Sequence, residues 1–329
     1  MLFSVIIPVY NRPHEVKELL ESLFHQNYRD FEVIVVEDGS SVSSWEVVEK
    51  FTAKLDVHYF SKSNSGPGQA RNYGAERAKG EYLIILDSDV IVPQGYFEAI
   101  CKELDREPAD AFGGPDRADE SFSPMQKAIN YSMTSFFTTG GIRGGKNKMD
   151  KFYPRSFNMG VRRTVYEALG GFSKMRFGED IDFSIRIFKA GYRCRLFPDA
   201  WVFHKRRTDL IKFFRQVHNS GIARINLYKK YPESLKIVHL LPAFFTIGVA
   251  LLLLGSWLTF FSPFLLIVYV MAIFIDASIE TGNVGIGFRA VVASFVQLIG
   301  YGTGFLLAWW LRCVMGKDEF QAFESSFYK

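Results

Sequence analysis

The sequence predicts an α/β domain with a mostly parallel sheet, followed by a C-terminal region of membrane-spanning helices. Short apolar segments alternate with helix-like segments in residues 3–91, which is the pattern of a sheet covered by helices. Two later stretches, Ile237 to Ile275 and Ala290 to Leu311, contain no Asp, Glu, Lys or Arg. Each exceeds the roughly 20 residues that cross a bilayer core. The composition, 48% hydrophobic and 22% charged over 329 residues, excludes a disordered protein.

Each element of the first domain has a local signal. The predicted strands are the apolar runs FSVIIPV (3–9), FEVIVVED (31–38), VHYFSKS (57–63) and YLIIL (82–86). The predicted helices are PHEVKELLESLFHQ (13–26), with Pro13 near its start, and GQARNYGAERAKG (68–80), which glycines bound. Because these strands are rich in apolar residues, we expect helices on both faces of the sheet.

Polar side chains follow three of these strands where each strand ends. Tyr10 and Asn11 follow the first strand, Asp38 ends the second, and Asp87 and Asp89 follow YLIIL. Ligands of open α/β sheets bind beyond the carboxyl ends of the strands. Two neighbouring carboxylates need a cation, and hard divalent ions take oxygen ligands, so we predict a metal site there with a nucleotide diphosphate completing the shell. The alternative is a solvated turn in which Asp89 caps the next helix.

The segment FGEDIDFSIRIFKAG predicts a helix with an acidic first turn. Its expected apolar face consists of Ile181, Ile185 and Phe188. Glu179, Asp180 and Asp182 occupy the first turn, where acids complement the helix dipole. Dipole complementation accounts for one or two acids, so three of them suggest a chemical role. Asp182 can instead pair with Arg186 one turn later.

A long segment with little periodicity, Ser135 to Arg155, contains four glycines and five basic residues. Loops of this length inside a compact domain are usually functional or disordered. We predict a flap near an acceptor site that orders on binding. The alternative is a loop without a role.

Five segments together resemble family 2 glycosyltransferases with a GT-A fold. They are SVIIPVYNR, VIVVEDGS, NSGPGQARNYGAERAKGEYLIILDSD, NMGVRRTVYEALGGF and GEDIDFSIRIFKAGYR, in that order, and the resemblance covers about residues 3–205. It implies a nucleotide-sugar pocket lined by Pro8, Tyr10, Asn11, Asp38, Arg71 and Asp87. Within that pocket Asp38 would bind the base and Arg71 would approach the diphosphate. A UDP-sugar is the expected donor.

The resemblance also implies a metal and a base. The implied metal ligands are Asp87, Asp89 and His204, and a histidine among oxygen ligands favours Mn²⁺ over Mg²⁺. His204 could equally be a surface residue beside a basic run. Transfer with inversion needs a carboxylate to take the proton of the attacking hydroxyl, and the resemblance assigns that role to Asp180, with Glu179 orienting the acceptor.

The region before the first charge-free stretch is basic and amphipathic. In residues 208–231 apolar positions recur at helical spacing with Lys and Arg between them, and Thr208 is the expected N-cap. This helix could lie in the membrane interface or pack on the soluble domain. Basic residues beside a span mark the cytoplasmic side, which predicts a multi-pass protein of the cytoplasmic membrane with its catalytic domain in the cytoplasm.

The domain prediction is a GT-A catalytic domain over residues 1–232 and a membrane region over residues 233–329. About three spans are expected, near 237–256, 258–276 and 290–311. The alternative is one long helix or the buried core helices of a soluble protein. The predicted function is metal-dependent, inverting transfer of a sugar to a hydroxyl of a lipid-linked glycan in cell-surface polysaccharide synthesis. The alternatives are a polyprenyl-phosphate monosaccharide transferase and a non-catalytic membrane scaffold. No nucleic acid partner is expected, because the basic residues lack the motif context of a nucleic-acid binder.

Overall fold

The computed structural model of the chain describes residues 2–117, 119, 122–140, 152–255 and 261–323. The chain divides into two compact units. The first unit comprises residues 1–119 and 150–205, and the second comprises residues 120–149 and 206–329. The second unit thus takes in two segments that precede residue 232, and the domain boundary placed there stays a prediction.

The first unit contains the sheets. Its strands are β1 Phe3–Val9, β2 Phe31–Asp38, β3 Val57–Lys62, β4 Tyr82–Leu86, β5 Val90–Ile91, β6 Ala111–Gly113, β7 Asp116–Arg117, β8 Asn158–Arg162, β9 Cys194–Leu196 and β10 Val202–His204. In the part of the chain that the structure describes, seven strands form the main sheet in the order β3-β2-β1-β4-β8-β6-β9, and β5, β10 and β7 form a small second sheet. Strands β1 to β4 are mutually parallel, whereas β8 runs antiparallel to both β4 and β6. The predicted α/β class with a mostly parallel sheet is confirmed.

Twelve α-helices lie in the described part of the chain. They are α1 Pro13–Phe24, α2 Trp45–Val48, α3 Pro67–Ala75, α4 Tyr96–Arg106, α5 Pro124–Thr134, α6 Phe136–Thr139, α7 Arg163–Ala168, α8 Glu179–Lys189, α9 Leu210–Lys230, α10 Leu241–Gly255, α11 Phe261–Thr281 and α12 Val284–Ala308. A π-helical segment, Trp309–Val314, continues α12.

Both faces of the main sheet are covered, as apolar parallel strands require. On one face Val5 and Ile7 of β1 pack in a cluster with Leu19 of α1. On the other face Ile6 packs in a cluster with α3 and α8. Helix α3 lies close to the sheet at Gly74, where a Cβ would come within 2.7 Å of the Ile6 side chain. Because Gly74 has no side chain, α3 can pack directly on β1 and β2.

Two local predictions are corrected by the structure. The N-cap of α9 is Asp209, whose carboxylate accepts the Lys212 N–H at 2.7 Å, and not Thr208. The fully buried apolar residues of α8 include Phe183 and Ile187, whereas Ile181 is half-buried. Helix α8 is buried on more than one side, so the predicted apolar stripe identified Ile185 as a core residue but missed Phe183 and Ile187.

The second unit is helical. Helix α9 packs along α12, and the contact is close because glycines line it: a Cβ at Gly304 would lie 2.0 Å from the His218 carbonyl oxygen, and one at Gly221 would lie 2.2 Å from that of Tyr301. Helix α5 packs with α11 and α12 through Ala128 and Tyr131. The predicted amphipathic helix therefore packs on an apolar helix of its own unit.

Among the described residues of this unit, two helices are long and apolar enough to cross a membrane, over Phe264–Thr281 and Val284–Val314. Only 11% of the first window is buried, which is unlike the core helix of a soluble protein. Helix α10 is also apolar but has 15 residues. The predicted break between the first two spans falls largely on residues 256–260, which lie outside the described residues.

Candidate active site

The three predicted metal ligands come together at the carboxyl end of the main sheet. Asp87 and Asp89 follow β4, and β5 begins directly after them. Strand β10 pairs antiparallel with β5, so that His204 lies opposite Val90. The pairing brings the His204 Nε2 to 3.4 Å from the Asp89 Oδ1. The alternative of a helix cap at Asp89 is wrong, because the N-cap of the next helix is Gly95.

This group has the donor set of a divalent-ion site. One ligand atom each of Asp87, Asp89 and His204 lies within 4.8 Å of the others. The imidazole is held flat against the Phe157 ring, with the ring centroids 4.8 Å apart, and its Nδ1 is buried without a hydrogen-bond partner among the described residues. Arg12 pairs with the other Asp89 oxygen. Two carboxylates and an imidazole fit Mn²⁺ well and Mg²⁺ less well.

A buried guanidinium connects this group to helix α8. The Arg71 side chain is 3% exposed, and it donates one hydrogen bond to Asp87 at 2.7 Å and another to Glu179 at 2.9 Å. Burial alone would lower the pKa of Arg71, but the two carboxylates outweigh that effect and raise it. The next residue on α3, Asn72, binds the Phe172 backbone on both sides of its amide and so anchors the loop that leads to α8.

The two acids that begin α8 lie in different electrostatic environments. Burial and the neighbouring Asp180 charge raise the pKa of Glu179 to about 7, although Arg71 opposes the shift. Burial would also raise the pKa of Asp180, but the Arg155 guanidinium, 2.6 Å from its Oδ2, outweighs burial and lowers it. Adjacent carboxylates of one helix turn thus differ in proton affinity, which is the pattern expected of groups with different chemical roles.

Asp182 is fully buried, although it lies in the first turn of α8. It pairs with Arg186 at 3.0 Å, as its spacing predicts, but its side chain is completely buried. Arg186 also donates hydrogen bonds to the carbonyl oxygens of Leu169 and Gly171. The pair therefore holds the loop before α8. The predicted pairing is present, but it is not the surface ion pair that residues four apart on a helix usually form.

The predicted nucleotide-pocket residues of β1 and β2 lie at the same edge. Pro8 is in β1, Tyr10 follows it, and Asn11 has a left-handed φ of 54°. The Asn11 side chain accepts the N–H groups of Ser41 and Val42, which shapes the loop after β2. These contacts show the places of the three residues, and their nucleotide-binding roles stay predictions.

Asp38 is 5% exposed and already has several donors. Its Oδ1 accepts from the Lys62 Nζ at 2.8 Å and from the Ser65 N–H at 3.0 Å, and its Oδ2 accepts from the Gly66 N–H at 2.8 Å. Asp38 therefore fixes the turn that leads into α3. The role of Asp38 in binding the base stays a prediction.

For two arginines of this site, Arg12 and Arg155, no role was predicted from the sequence. Arg12 lies three residues after the end of β1, so its place near the strand end was a usable signal. Arg155 contacts Asp180 from a distant part of the chain with no local pattern. It belongs to the predicted flap, of which residues 141–151 lie outside the described residues.

Comparison with known proteins gives a consistent family assignment. Residues 4–170 match the sequence profile of Glycosyl transferase family 2. Glycosyltransferase GlyG of Streptococcus pneumoniae is 35% identical over 127 residues, which are 37% of this chain and 42% of GlyG. The poly(ribitol-phosphate) β-N-acetylglucosaminyltransferase TarS of Staphylococcus aureus is 41% identical over 93 residues, 27% of this chain and 16% of TarS. The chain thus spans less than half the length of either relative.

A solved structure has the same fold. The mannosyltransferase PcManGT of Pyrobaculum calidifontis, solved in complex with GDP-Man and Mn²⁺, superimposes with a TM-score of 0.64 over 89% of this chain and 86% of its own. The sequences are 19% identical, so the likeness concerns the fold, which is of the GT-A type.

Proposed function

The chain belongs to Glycosyl transferase family 2, and on that premise we propose that it is a membrane-attached, metal-dependent, inverting glycosyltransferase. The donor is a nucleotide-diphosphate sugar. The acceptor is a hydroxyl of a lipid-linked glycan, in the assembly of a cell-surface polysaccharide. TarS and GlyG, both glycosyltransferases by name, are consistent with sugar transfer.

One observation carries this proposal. The Asp87, Asp89 and His204 group lies next to the acidic start of α8, and Arg71 contacts both. A site for a diphosphate and a site for an attacking hydroxyl must be neighbours in a sugar transferase. On this proposal an acceptor would meet the donor sugar near the start of α8.

The chemical step is a single displacement. The acceptor oxygen forms a bond to the anomeric carbon while the bond from that carbon to the diphosphate oxygen breaks. The electron pair of the broken bond leaves with the nucleoside diphosphate, and the hydroxyl proton passes to the Asp180 carboxylate. The Arg155 pair keeps Asp180 ionised, while Glu179, held by Arg71, orients the acceptor.

The carboxylates and imidazole of Asp87, Asp89 and His204 would hold the divalent ion, which neutralises charge on the diphosphate leaving group. Arg12 and Arg71 contribute fixed positive charge at the same place, each in contact with one of the two aspartates. A PcManGT complex with GDP-Man and Mn²⁺ supports the same kind of donor and ion for this fold.

Membrane attachment is supported by the exposed apolar surface of the second unit. Helix α11 exposes large side chains along its length, among them Leu265, Ile267, Val268, Met271 and Ile275. Lys229 and Lys230 end α9 just before the first apolar helix, which by the positive-inside rule favours a cytoplasmic catalytic unit in a multi-pass protein. An acceptor dissolved in the bilayer accounts for such an anchor.

The test is sugar transfer by the full-length protein in detergent or liposomes. A panel of nucleotide sugars is offered with a lipid-linked saccharide or with polyprenyl phosphate, and the product is analysed by mass spectrometry and by NMR of its anomeric configuration. Transfer to the saccharide hydroxyl with inversion supports the proposal. Transfer to polyprenyl phosphate alone supports the alternative enzyme, and no nucleotide release with any donor favours a non-catalytic scaffold.

A further inference from the structure

A second group of potential metal ligands lies in the first unit, at the opposite end of the main sheet. Glu32 is near the start of β2, and Asp56 and His58 flank the first residue of β3. One ligand atom of each lies within 4.8 Å of the others. Because β2 and β3 are parallel, these residues mark the amino ends of the strands, and the candidate active site lies at the carboxyl ends.

The Glu32 carboxylate is fully buried, and within the described residues its two oxygens differ in their hydrogen bonds. The side chain is 0% exposed, and its Oε1 accepts hydrogen bonds from the Ser4 hydroxyl at 2.7 Å and from the Lys79 N–H at 2.6 Å. Its Oε2 is buried and has no hydrogen-bond partner in the described part of the chain. Leaving a buried carboxylate oxygen unpaired is costly, so the site calls for a positively charged partner.

The His58 imidazole lies near both carboxylates, at separations close to those between two ligands of one metal ion. The His58 Nε2 lies 3.7 Å from the Glu32 Oε2 and 3.1 Å from the Asp56 Oδ1, and it also has no hydrogen-bond partner among the residues that the structure describes. Zinc bonds of about 2.0–2.1 Å at a tetrahedral angle place two ligand atoms about 3.4 Å apart. The two His58 separations, 3.7 Å to Glu32 and 3.1 Å to Asp56, lie on either side of that value.

We propose that Glu32, Asp56 and His58 bind a divalent metal ion of the zinc class, with water as a fourth ligand. His58 and Asp56 are 39% and 49% exposed, which gives an ion and a water access from solvent. The two hydrogen bonds to the Glu32 Oε1 hold the carboxylate in place, as outer partners commonly hold metal ligands. Bound there, the ion links β2 to the start of β3.

The simpler account is an ion-pair triad in which a protonated His58 lies between two carboxylates. The two accounts differ in one measurable respect, because only the first predicts a bound metal that depends on His58. The candidate active site also binds metal in our proposal, so the experiment must separate the two groups.

The experiment counts bound Co²⁺ in the full-length protein. Detergent-purified parent, His58→Gln, Asp56→Asn and His204→Gln are stripped with chelator, titrated with Co²⁺, and measured by visible absorption and by metal analysis after desalting. We expect His58→Gln and Asp56→Asn to lose one tightly bound equivalent with tetrahedral absorption, and His204→Gln to keep it. Ser4→Ala should weaken that equivalent by about 10–100-fold.

The outcome that overturns the proposal is equal Co²⁺ stoichiometry and absorption in the parent and His58→Gln. Asp56 and His58 are partly exposed, so their variants are expected to fold, and a circular dichroism spectrum like that of the parent confirms it. Loss of the same equivalent in His204→Gln alone would place the metal at the other group and overturns the proposal as well.

Discussion

Asp87 and Glu179 are joined by one buried guanidinium, that of Arg71, although they belong to different elements. Asp87 follows β4 and Glu179 begins α8. In the proposed mechanism the first residue belongs to the donor side and the second to the acceptor side. The fork of a guanidinium can bind two carboxylates at once, which the single ammonium of a lysine does less well.

Replacing Arg71 with alanine should therefore damage both the fold and the activity. Glu179, whose side chain is 8% exposed, and Asp87, whose side chain is 30% exposed, would lose their cation. Breaking a buried pair such as Arg71–Glu179 typically lowers the free energy of unfolding by about 3–5 kcal/mol. Denaturant unfolding of the purified protein measures this loss. Arg106→Ala is the matched control, because its side chain is 67% exposed and pairs with Glu103, a contact worth about 0–1 kcal/mol. Equal stability of the two variants would contradict this account of Arg71.

The metal prediction concerns His204. His204→Gln should raise the Mn²⁺ concentration that gives half-maximal transfer by at least about 10–100-fold, the loss seen even for partners outside the ligand shell. Asp89→Asn should be more severe, since it removes an anionic ligand. His25→Gln, at an exposed histidine, should behave as the parent does. Full transfer activity in excess chelator would rule out the metal role.

Much of the fold could be predicted because its signals are local. The apolar runs of β1, β2, β3 and β4 and the spacing of Asp87 and Asp89 can each be seen within ten residues or fewer. The acids of α8 could be located for the same reason, and the resemblance added their predicted roles.

The remaining contacts join distant residues, and no local pattern reports them. Arg155 meets Asp180, and Arg12 meets Asp89, only because the sheet brings their segments together. The burial of Asp182 was missed because a polar residue in a first turn is normally exposed. Its burial is explained by Arg186, which pairs with Asp182 and holds the loop before α8.

The pH dependence of stability offers a test of the Glu179 environment. Its pKa in the folded protein, about 7, lies above the ordinary glutamate value of 4.5, so the folded state binds the proton more tightly than the unfolded state between these values. Stability should consequently fall as the pH rises from 4.5 to 7. Glu179→Gln, which cannot ionise, should lack that fall. Thermal melts of both proteins at pH 5 and pH 8 measure it, and parallel changes in melting temperature would contradict the raised pKa.

The contact between α9 and α12 can be tested at Gly304. A Cβ there would lie 2.0 Å from the His218 backbone oxygen, which cannot swing away as a side chain could. Gly304→Ala should therefore destabilise the protein by about 1–3 kcal/mol, the usual cost of overpacking. Gly248→Ala, where a Cβ meets nothing within 4 Å, should be neutral or stabilising by up to about 1 kcal/mol. If both variants melt alike, α9 does not pack on α12 as described.

The last prediction assigns the base. Asp180→Asn keeps the shape of the side chain and removes its basic oxygen, so it should lower kcat by roughly 10²- to 10⁴-fold, the usual contribution of a general base. The KM for the donor should change little, because the proposed donor contacts are made by Asp87, Asp89 and Arg71. Rate measurements at saturating acceptor check both expectations.

The structure indicates which variant can serve as a control for Asp180→Asn and which residue is the rival base. Asp182→Asn is unsuitable as a control, because its carboxylate is fully buried and paired with Arg186. Glu167→Gln, at a side chain that is 59% exposed, should leave kcat at the parent value. The rival base is Glu179, whose pKa of about 7 is closer to the ideal for a base near neutral pH than the lowered pKa of Asp180. If Glu179→Gln abolishes transfer while Asp180→Asn turns over at the parent rate, the proton goes to Glu179, and Arg155 holds Asp180 for a structural purpose.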